Sequence, residues 1–258
     1  KEEKEIAYVE PENVVVICTQ SGDIKRIPVA SFKVQKRNGK GVKTQDDAIL
    51  SSISTNTIDT LLVFTSKGKM FRLLVDNIPA GTAASRGTNL ASILKFEPDE
   101  KVMFVTSQFR ETDAKYVVFF TKNGLIKKTK LEEFKSTKKT TGIQAIKFKE
   151  GDSLANVTLL NEEEVVVLTK NGMIIRFGTK DIAAIGRIAA GVKSIKLKDG
   201  DEVLCGLPLS DNNDLAVFCT NGLGKRVKRN DIPIQNRGGV GLIISETKIA
   251  GACMVDDT

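Results

Sequence analysis

A hairpin pattern written five times over is what most limits how this 258-residue chain can fold. Residues 14–29 read VVVICTQSGDIKRIPV, an apolar run, a short polar turn with Gly22, then a strand of alternating character. The pattern returns as LLVFTSKGKMFRLLV (61–75), VVFFTKNGLIKKTKL (117–131), VVVLTKNGMIIRFG (165–178) and LAVFCTNGLGKRVK (215–228). Asn-Gly at 123–124, 171–172 and 221–222 is read as the source of the positive φ that two-residue hairpin turns demand. A second glycine, at 41, 87, 142, 191 and 241, follows each turn glycine after 18 or 19 residues.

The turn glycines at 22, 68, 124, 172 and 222 recur at 46 to 56 residues, the length of a four-stranded propeller blade. Helical repeats of similar length fail, because the runs carry β-branched and aromatic residues between turn signals and no amphipathic stretch of period 3.6. The predicted fold is all-β, one propeller-like disc over residues 1–258 built from blades of about 50 residues. Its units centre on residues 13–41, 61–87, 117–142, 165–191 and 215–241, with 242–258 either closing the ring or opening a truncated sixth unit. In the second case GACMVDDT (251–258) is its first strand.

Histidine is absent, which removes Ser-His-Asp and Cys-His catalysis and the commonest zinc ligand together. Cys18, Cys205, Cys219 and Cys253 show no CxxC spacing and are read as buried free thiols. No run of about 18 apolar residues exists and residues 1–4 resemble no targeting peptide, so the expected setting is cytoplasmic with no membrane partner.

Net charge is +7, which favours an acidic partner, and the distribution of that charge says more than its sum. From turn glycine to second glycine the five units hold 23 basic and 6 acidic residues, while the rest of the chain is net acidic. Solubility alone does not sort opposite charges by phase of a repeat. The cations that carry the bias are Lys25, Arg26, Lys69, Arg72, Lys127, Lys128, Lys130, Lys138, Lys139, Arg176, Arg187, Lys225, Arg226, Lys228, Arg229 and Arg237. With few aromatic residues outside strand-like runs, a duplex backbone held by cations fits better than stacked single-stranded bases.

The densest cationic stretch is VQKRNGKGV (34–42), echoed at QNRGGVG (235–241) in the same phase of the repeat. Together with FTKNGLIKKTKLEEF (120–134), TTGIQAIKF, AAGVKSIKL and GACMVDD, it makes the chain resemble the C-terminal domain of the A subunit of bacterial type IIA topoisomerases. DNA gyrase is the nearer likeness and topoisomerase IV the second. The family's seven-residue gyrase-A box, Gln-Arg-Arg-Gly-Gly-Lys-Gly, matches Gln35, Lys36, Arg37, Asn38, Gly39, Lys40 and Gly41, with Lys36 for Arg and Asn38 for Gly. Lys36 keeps the charge without the bidentate fork, and Asn38 is the non-glycine residue most tolerant of a left-handed turn.

The resemblance implies a β-pinwheel whose blades exchange strands, usually six in gyrase. It implies that duplex DNA wraps on the disc so that a segment is presented for ATP-dependent negative supercoiling in the nucleoid. The partners it implies are double-stranded DNA, the remaining domains of the A subunit, plus the B subunits of a heterotetramer; the isolated domain is expected to be monomeric. No catalytic residue, metal or cofactor is expected here, since the DNA-attacking tyrosine, ATP and Mg²⁺ belong to other parts of the holoenzyme. Tyr8 and Tyr116 lack the cations and carboxylates that cleavage requires. Topoisomerase IV remains open as the paralogue, and a protein-docking propeller is the alternative of a different class, although Trp is absent and no GH…WD pattern occurs.

Overall fold

The computed structural model of the chain describes residues 9–32, 47–107, 114–135, 141–161 and 164–256. The first repeat supplies β1 (Asn13–Thr19), β2 (Asp23–Pro28) and β3 (Ile49–Asn56). The second supplies β4 (Thr60–Thr65), β5 (Lys69–Leu74), β6 (Thr88–Asn89) and β7 (Val102–Ser107). The third gives β8 (Tyr116–Thr121), β9 (Leu125–Lys130), β10 (Ile143–Gln144) and β11 (Leu154–Leu160). The fourth gives β12 (Glu164–Thr169), β13 (Met173–Gly178), β14 (Val192–Lys193) and β15 (Val203–Leu209). The fifth gives β16 (Asn213–Cys219), β17 (Gly224–Val227), β18 (Leu242–Ile243) and β19 (Ile249–Asp256).

The sheets run β3-β1-β2-β6, β10-β5-β4-β7, β11-β8-β9-β14, β15-β12-β13-β18 and β17-β16-β19. Every two-residue strand therefore leaves its own repeat and completes the sheet of the one before, which is the strand exchange the resemblance implies. The segment 249–256 is the third strand of the fifth sheet, antiparallel to β16 from Asn213↔Asp256 to Cys219↔Ile249. By contacts the chain forms two compact units, Lys1–Thr112 with Lys138–Ile143 and Asp113–Thr137 with Gln144–Thr258.

The hairpin turns differ from the two-residue reading. Outside glycine, positive φ among the described residues is confined to Lys95 and Asp99, so Asn123, Asn171 and Asn221 are not left-handed. Instead Gly124 N donates to Thr121 O at 3.1 Å and Gly172 N to Thr169 O at 3.2 Å, closing a four-residue turn on a left-handed glycine. Only the residue without a Cβ takes the costly conformation. The threonine hydroxyl then accepts from the next strand's first amide, Leu125 N at 3.1 Å and Met173 N at 3.1 Å.

In the third and fourth repeats the acidic tail has a local task too. Asp152 Oδ1 accepts from Asn123 N at 2.9 Å and Asp201 Oδ1 from Asn171 N at 3.0 Å, so these carboxylates cap turns. The second glycine marks where the chain crosses the preceding sheet. A Cβ on Gly87, Gly191 or Gly241 would lie 2.5, 2.5 and 2.4 Å from the carbonyl oxygens of Ile24, Ile126 and Ile174.

The first strand of each hairpin is central in its sheet, and in the second to fourth repeats it is buried on both faces, which is why it reads as a continuous apolar run; in the fifth Phe218 is exposed. In the first unit Val14, Val16, Leu61, Val63 and Phe71 share a core. In the second, Val118, Phe120, Val165, Val167 and Ile175 form one cluster and Val166, Leu168, Leu215 and Val217 another. All four cysteines are free; Cys18 is buried, whereas Cys253 is exposed, contrary to the uniform burial expected of them. Burial pushes the thiols of Cys18 and Cys205 up to about 12.

Candidate nucleic-acid interface

The third and fourth residues after each turn glycine are the most regular cations in the sequence: Lys25, Lys127 and Lys225, then Arg26, Arg72, Lys128, Arg176 and Arg226. Their fate corrects the sequence reading. Lys25, Lys127, Lys128 and Arg176 are buried, at 5%, 1%, 4% and 5% exposure. Each lies beneath a loop of the following repeat and donates to its carbonyls. Lys25 Nζ reaches Ala83 O at 2.9 Å and Ser85 O at 2.7 Å. Lys127 Nζ reaches Ala145 O and Arg187 O, both at 2.6 Å, and Lys128 Nζ reaches Thr179 O at 2.8 Å.

Arg176 donates to Arg229 O and Ile232 O at 2.8 Å and pairs with Glu164 at 2.6 Å. Arg26 Nε donates to Ile78 O at 2.7 Å and pairs with Asp76 at 3.3 Å. The crossover loops meet the preceding hairpin at isolated parallel bridges, Arg26↔Ala80, Lys128↔Ala184 and Arg176↔Ile234, and further loop carbonyls are satisfied by cations from the blade they cross. Buried side chains in this role do not reach a phosphate.

Lys127 has a measurable consequence. Desolvation lowers its pKa from 10.5 to about 8, outweighing the opposing effect of the Glu133 carboxylate. Between those two values the unfolded chain binds the proton and the folded chain does not, so stability rises with pH across roughly 8 to 10.5 and is lost as pH falls through 8. The raised thiols of Cys18 and Cys205 act in the opposite sense above pH 9 but are common to both proteins, so the stability difference between wild type and Lys127→Met, measured by chemical denaturation, is expected to shift in favour of wild type from pH 7 to 10.

The remaining predicted cations divide. Lys69 pairs with Glu97, and Arg72 is half-buried along a cleft with Thr60, Asn77 and Glu97. Arg229 is held by Glu164 at 3.0 Å and Asp211 at 2.8 Å, and Arg226 by Asp214 at 2.8 Å. Lys130, Lys228 and Arg237 are exposed and Arg187 is half-exposed. Lys225 is exposed and donates to Ile244 O. The gyrase-A box at Gln35, Lys36, Arg37, Asn38, Gly39, Lys40 and Gly41, with Lys138 and Lys139, lies outside the described residues.

The echo of that box is described, and its construction is repeated. Gln235 N donates to Arg176 O at 2.8 Å, Ile185 N to Lys128 O at 2.9 Å and Gly81 N to Arg26 O at 2.8 Å. These are the same position in three repeats, so the preceding hairpin fixes where each loop starts. In the second unit the loops also bind the exchanged segment of the preceding repeat. Gly238 N donates to Ser194 O at 2.8 Å, Lys196 N to Gly239 O at 2.8 Å, and the Arg237 guanidinium to Lys193 O. One repeat earlier, Lys147 N donates to Ala189 O at 3.2 Å.

These links place Lys147 beside the loop of Arg187, and Lys193 and Lys196 beside the loop of Arg237. Lys147, Lys193, Lys196 and Arg237 are all exposed. The stem of Lys193 lies against Gly238, where a Cβ would meet its Cγ and Cδ at 3.5 Å. Glu133 is the nearby carboxylate, with Oε2 3.9 Å from a Cβ on Gly186. Sequence reading missed Lys193, which lies two residues past a second glycine, and also Lys147 and Lys196, all three in the acid-rich phase of the repeat. The shared offset of Lys147 and Lys196, five residues after the second glycine, was the available signal.

Among the described residues no three Cys, Asp or Glu side chains are grouped to hold a metal ion. Lys128 Nζ lies 4.7 Å over the ring of Tyr116, a packing contact for a residue considered for cleavage chemistry. No helix among the described residues is long and apolar enough to cross a membrane.

Two hairpin strands, one return strand and, in four of the five sheets, one strand borrowed from the next repeat define a propeller of the strand-exchanging class. The family model for the DNA gyrase C-terminal domain, beta-propeller, matches residues 13–54, 59–108, 115–161, 163–204 and 213–250, and the chain belongs to that family. The DNA gyrase A subunit of Mycolicibacterium smegmatis is 33% identical over 95% of the chain, and that of Kosmotoga olearia 38% identical over 90%. The chain spans 30% and 29% of those two relatives. Among solved structures, the C-terminal domain of DNA topoisomerase IV superposes with a TM-score of 0.82 at 28% identity, covering 97% of this chain and 80% of that one. A DNA gyrase A C-terminal domain gives 0.70 at 25%, covering 95% and 83%.

Proposed function

We propose that this chain binds, bends and wraps duplex DNA as the non-catalytic C-terminal domain of a gyrase-type A subunit, presenting a segment for ATP-dependent negative supercoiling. Strand cleavage and ATP hydrolysis fall to the remaining domains of the A subunit, together with the B subunit. The observation that carries the reading is the backbone stitching of Lys147, Arg187, Lys193, Lys196 and Arg237 across repeats three to five. Successive cations joined in this way offer a duplex a run of phosphate contacts without base readout.

The burial of Lys25, Lys127, Lys128 and Arg176 reduces what electrostatics supplies. About five phosphate contacts in the second unit give a log-log salt slope of roughly −4 to −5, where ten would give about −9. Smooth bending of a 20–30 bp site costs about 1–6 kcal/mol, which several such contacts offset at low salt. Gel shift of a random-sequence duplex from 50 to 200 mM salt is expected to lose about 10²- to 10³-fold in affinity. Tight binding that ignores salt would remove the reading.

The gyrase-A box at residues 35–41 is proposed as the anchor of one end of the wrap, and replacing it with alanines is expected to lower the linking-number shift of nicked circles ligated on the chain. The second reading, a topoisomerase IV domain that selects substrate geometry, is favoured by the 0.82 superposition. It predicts DNA binding with little or no linking-number shift, so the same ligation separates the two.

A further inference from the structure

Resting on that reading of the second unit as a duplex interface, we infer that Lys127 and Thr129 are positioning residues: without touching DNA, they fix the backbone that presents Arg187 to it. Both project from the same face of β9, two residues apart. Lys127 Nζ donates to Arg187 O at 2.6 Å, and Thr129 Oγ1 donates to Ile185 O at 2.9 Å. Ile185 N returns to Lys128 O at 2.9 Å, and Lys128↔Ala184 is a parallel bridge. The two ends of the Ile185–Arg187 tripeptide are therefore tied to one strand of the preceding blade.

The arrangement is built rather than incidental. Lys127 is 1% exposed and Thr129 fully buried, and the ammonium also lies 5.3 Å from the Phe119 ring centroid. The bond recurs in the first unit, where Lys25 Nζ reaches Ala83 O, four residues before its second glycine as Arg187 is four before Gly191. Its other acceptor recurs as well: Lys127 to Ala145 O and Lys225 to Ile244 O both fall three residues after the second glycine. One lysine thus joins its own repeat to the loop of the next. Where that lysine is replaced by Ile175, the Arg237 guanidinium is anchored by its own bond to Lys193 O.

A loop hung only from its ends moves its arginine relative to the phosphates, whereas a loop pinned at two carbonyls meets the duplex already ordered. Substitution at the pin and loss of the arginine should then not add.

The test is a double-mutant cycle on duplex affinity at 0.1 M salt, using Lys127→Met, Thr129→Val, Arg187→Ala and the two doubles. Arg187→Ala removes one phosphate contact and is expected to weaken binding about tenfold. Lys127→Met is expected to approach that loss and Thr129→Val to cost about two- to fivefold. In the Arg187→Ala background each should cost less than twofold more. Losses that multiply in the doubles overturn the positioning role while leaving the interface intact.

Thr129→Val keeps shape and charge, so it gives the answer should Lys127→Met fail to fold. Wild-type affinity that is absent or flat with salt sinks the interface reading and this inference with it. Arg187→Ala without effect, on a wild type that binds steeply with salt, sinks the inference alone.

Discussion

Gly172→Ala is expected to unfold the second compact unit, while Gly222→Ala at the equivalent turn is expected to cost only about 1–2 kcal/mol. Both glycines are left-handed, with φ of +86° and +83°, so the backbone penalty is the same. The surroundings differ. A Cβ on Gly172 would sit 1.9 Å from Ser245 O and 2.9 Å from its carbonyl carbon, whereas nothing lies within 4 Å of one on Gly222.

Ser245 follows the exchanged strand β18, and Ile244 N donates to Gly172 O at 2.8 Å, so the turn of the fourth hairpin is the seat of the fifth repeat's crossover. Backbone cannot yield as a side chain can. The added methyl must therefore expel the crossover, and with it the pairing of Met173↔Ile243 and Ile174↔Leu242. Loss of such a contact lies beyond the usual 0.5–3 kcal/mol of a point substitution. Thermal unfolding of the two variants side by side checks the contrast. Equal shifts in Tm would show that the turn alone, and not the strand exchange, sets the cost.

The second large effect concerns DNA. The triple variant Lys193→Gln/Lys196→Gln/Arg237→Gln is expected to lower the salt slope by about 3 and the affinity at 0.1 M salt by roughly 10²- to 10³-fold, at about 0.9 counterions per phosphate contact. It should also remove most of any linking-number shift. A control with the same net charge, Lys115→Gln/Lys170→Gln/Lys248→Gln, is expected to change the slope by less than 1. Those lysines are exposed but tied to other places: Leu131 N donates to Lys115 O, Lys170 pairs with Glu202, and Thr220 N donates to Lys248 O. If both triples weakened binding alike, the interaction would follow net charge rather than the stacked loops.

Much of the architecture was legible in the sequence because the constraints behind it are local and written repeatedly. A left-handed turn needs glycine, a strand covered on both faces needs a run such as VVFF, and five copies at a near-constant interval leave few folds. Repetition also exposed the bias toward cations in one phase of each unit. The finer turn geometry was not legible, since Asn-Gly serves equally in a two-residue turn and in a turn closed by a left-handed glycine.

What the sequence by itself determined was the five hairpins, their blade-length repeat, the family, and the presence of a cation at the fourth position after every turn glycine. Tertiary structure alone decided which of those cations face solvent. Lys128 and Arg226 hold the same position in the repeat, yet one is sealed beneath the loop of the next repeat and the other is exposed. The reason is that strand exchange brings together residues about 60 positions apart, where unpaired loop carbonyls demand donors that no local pattern announces. A charge count reports how many cations a repeat holds, but only the crossing of one repeat over another determines whether each is taken up by carbonyls or left at the surface.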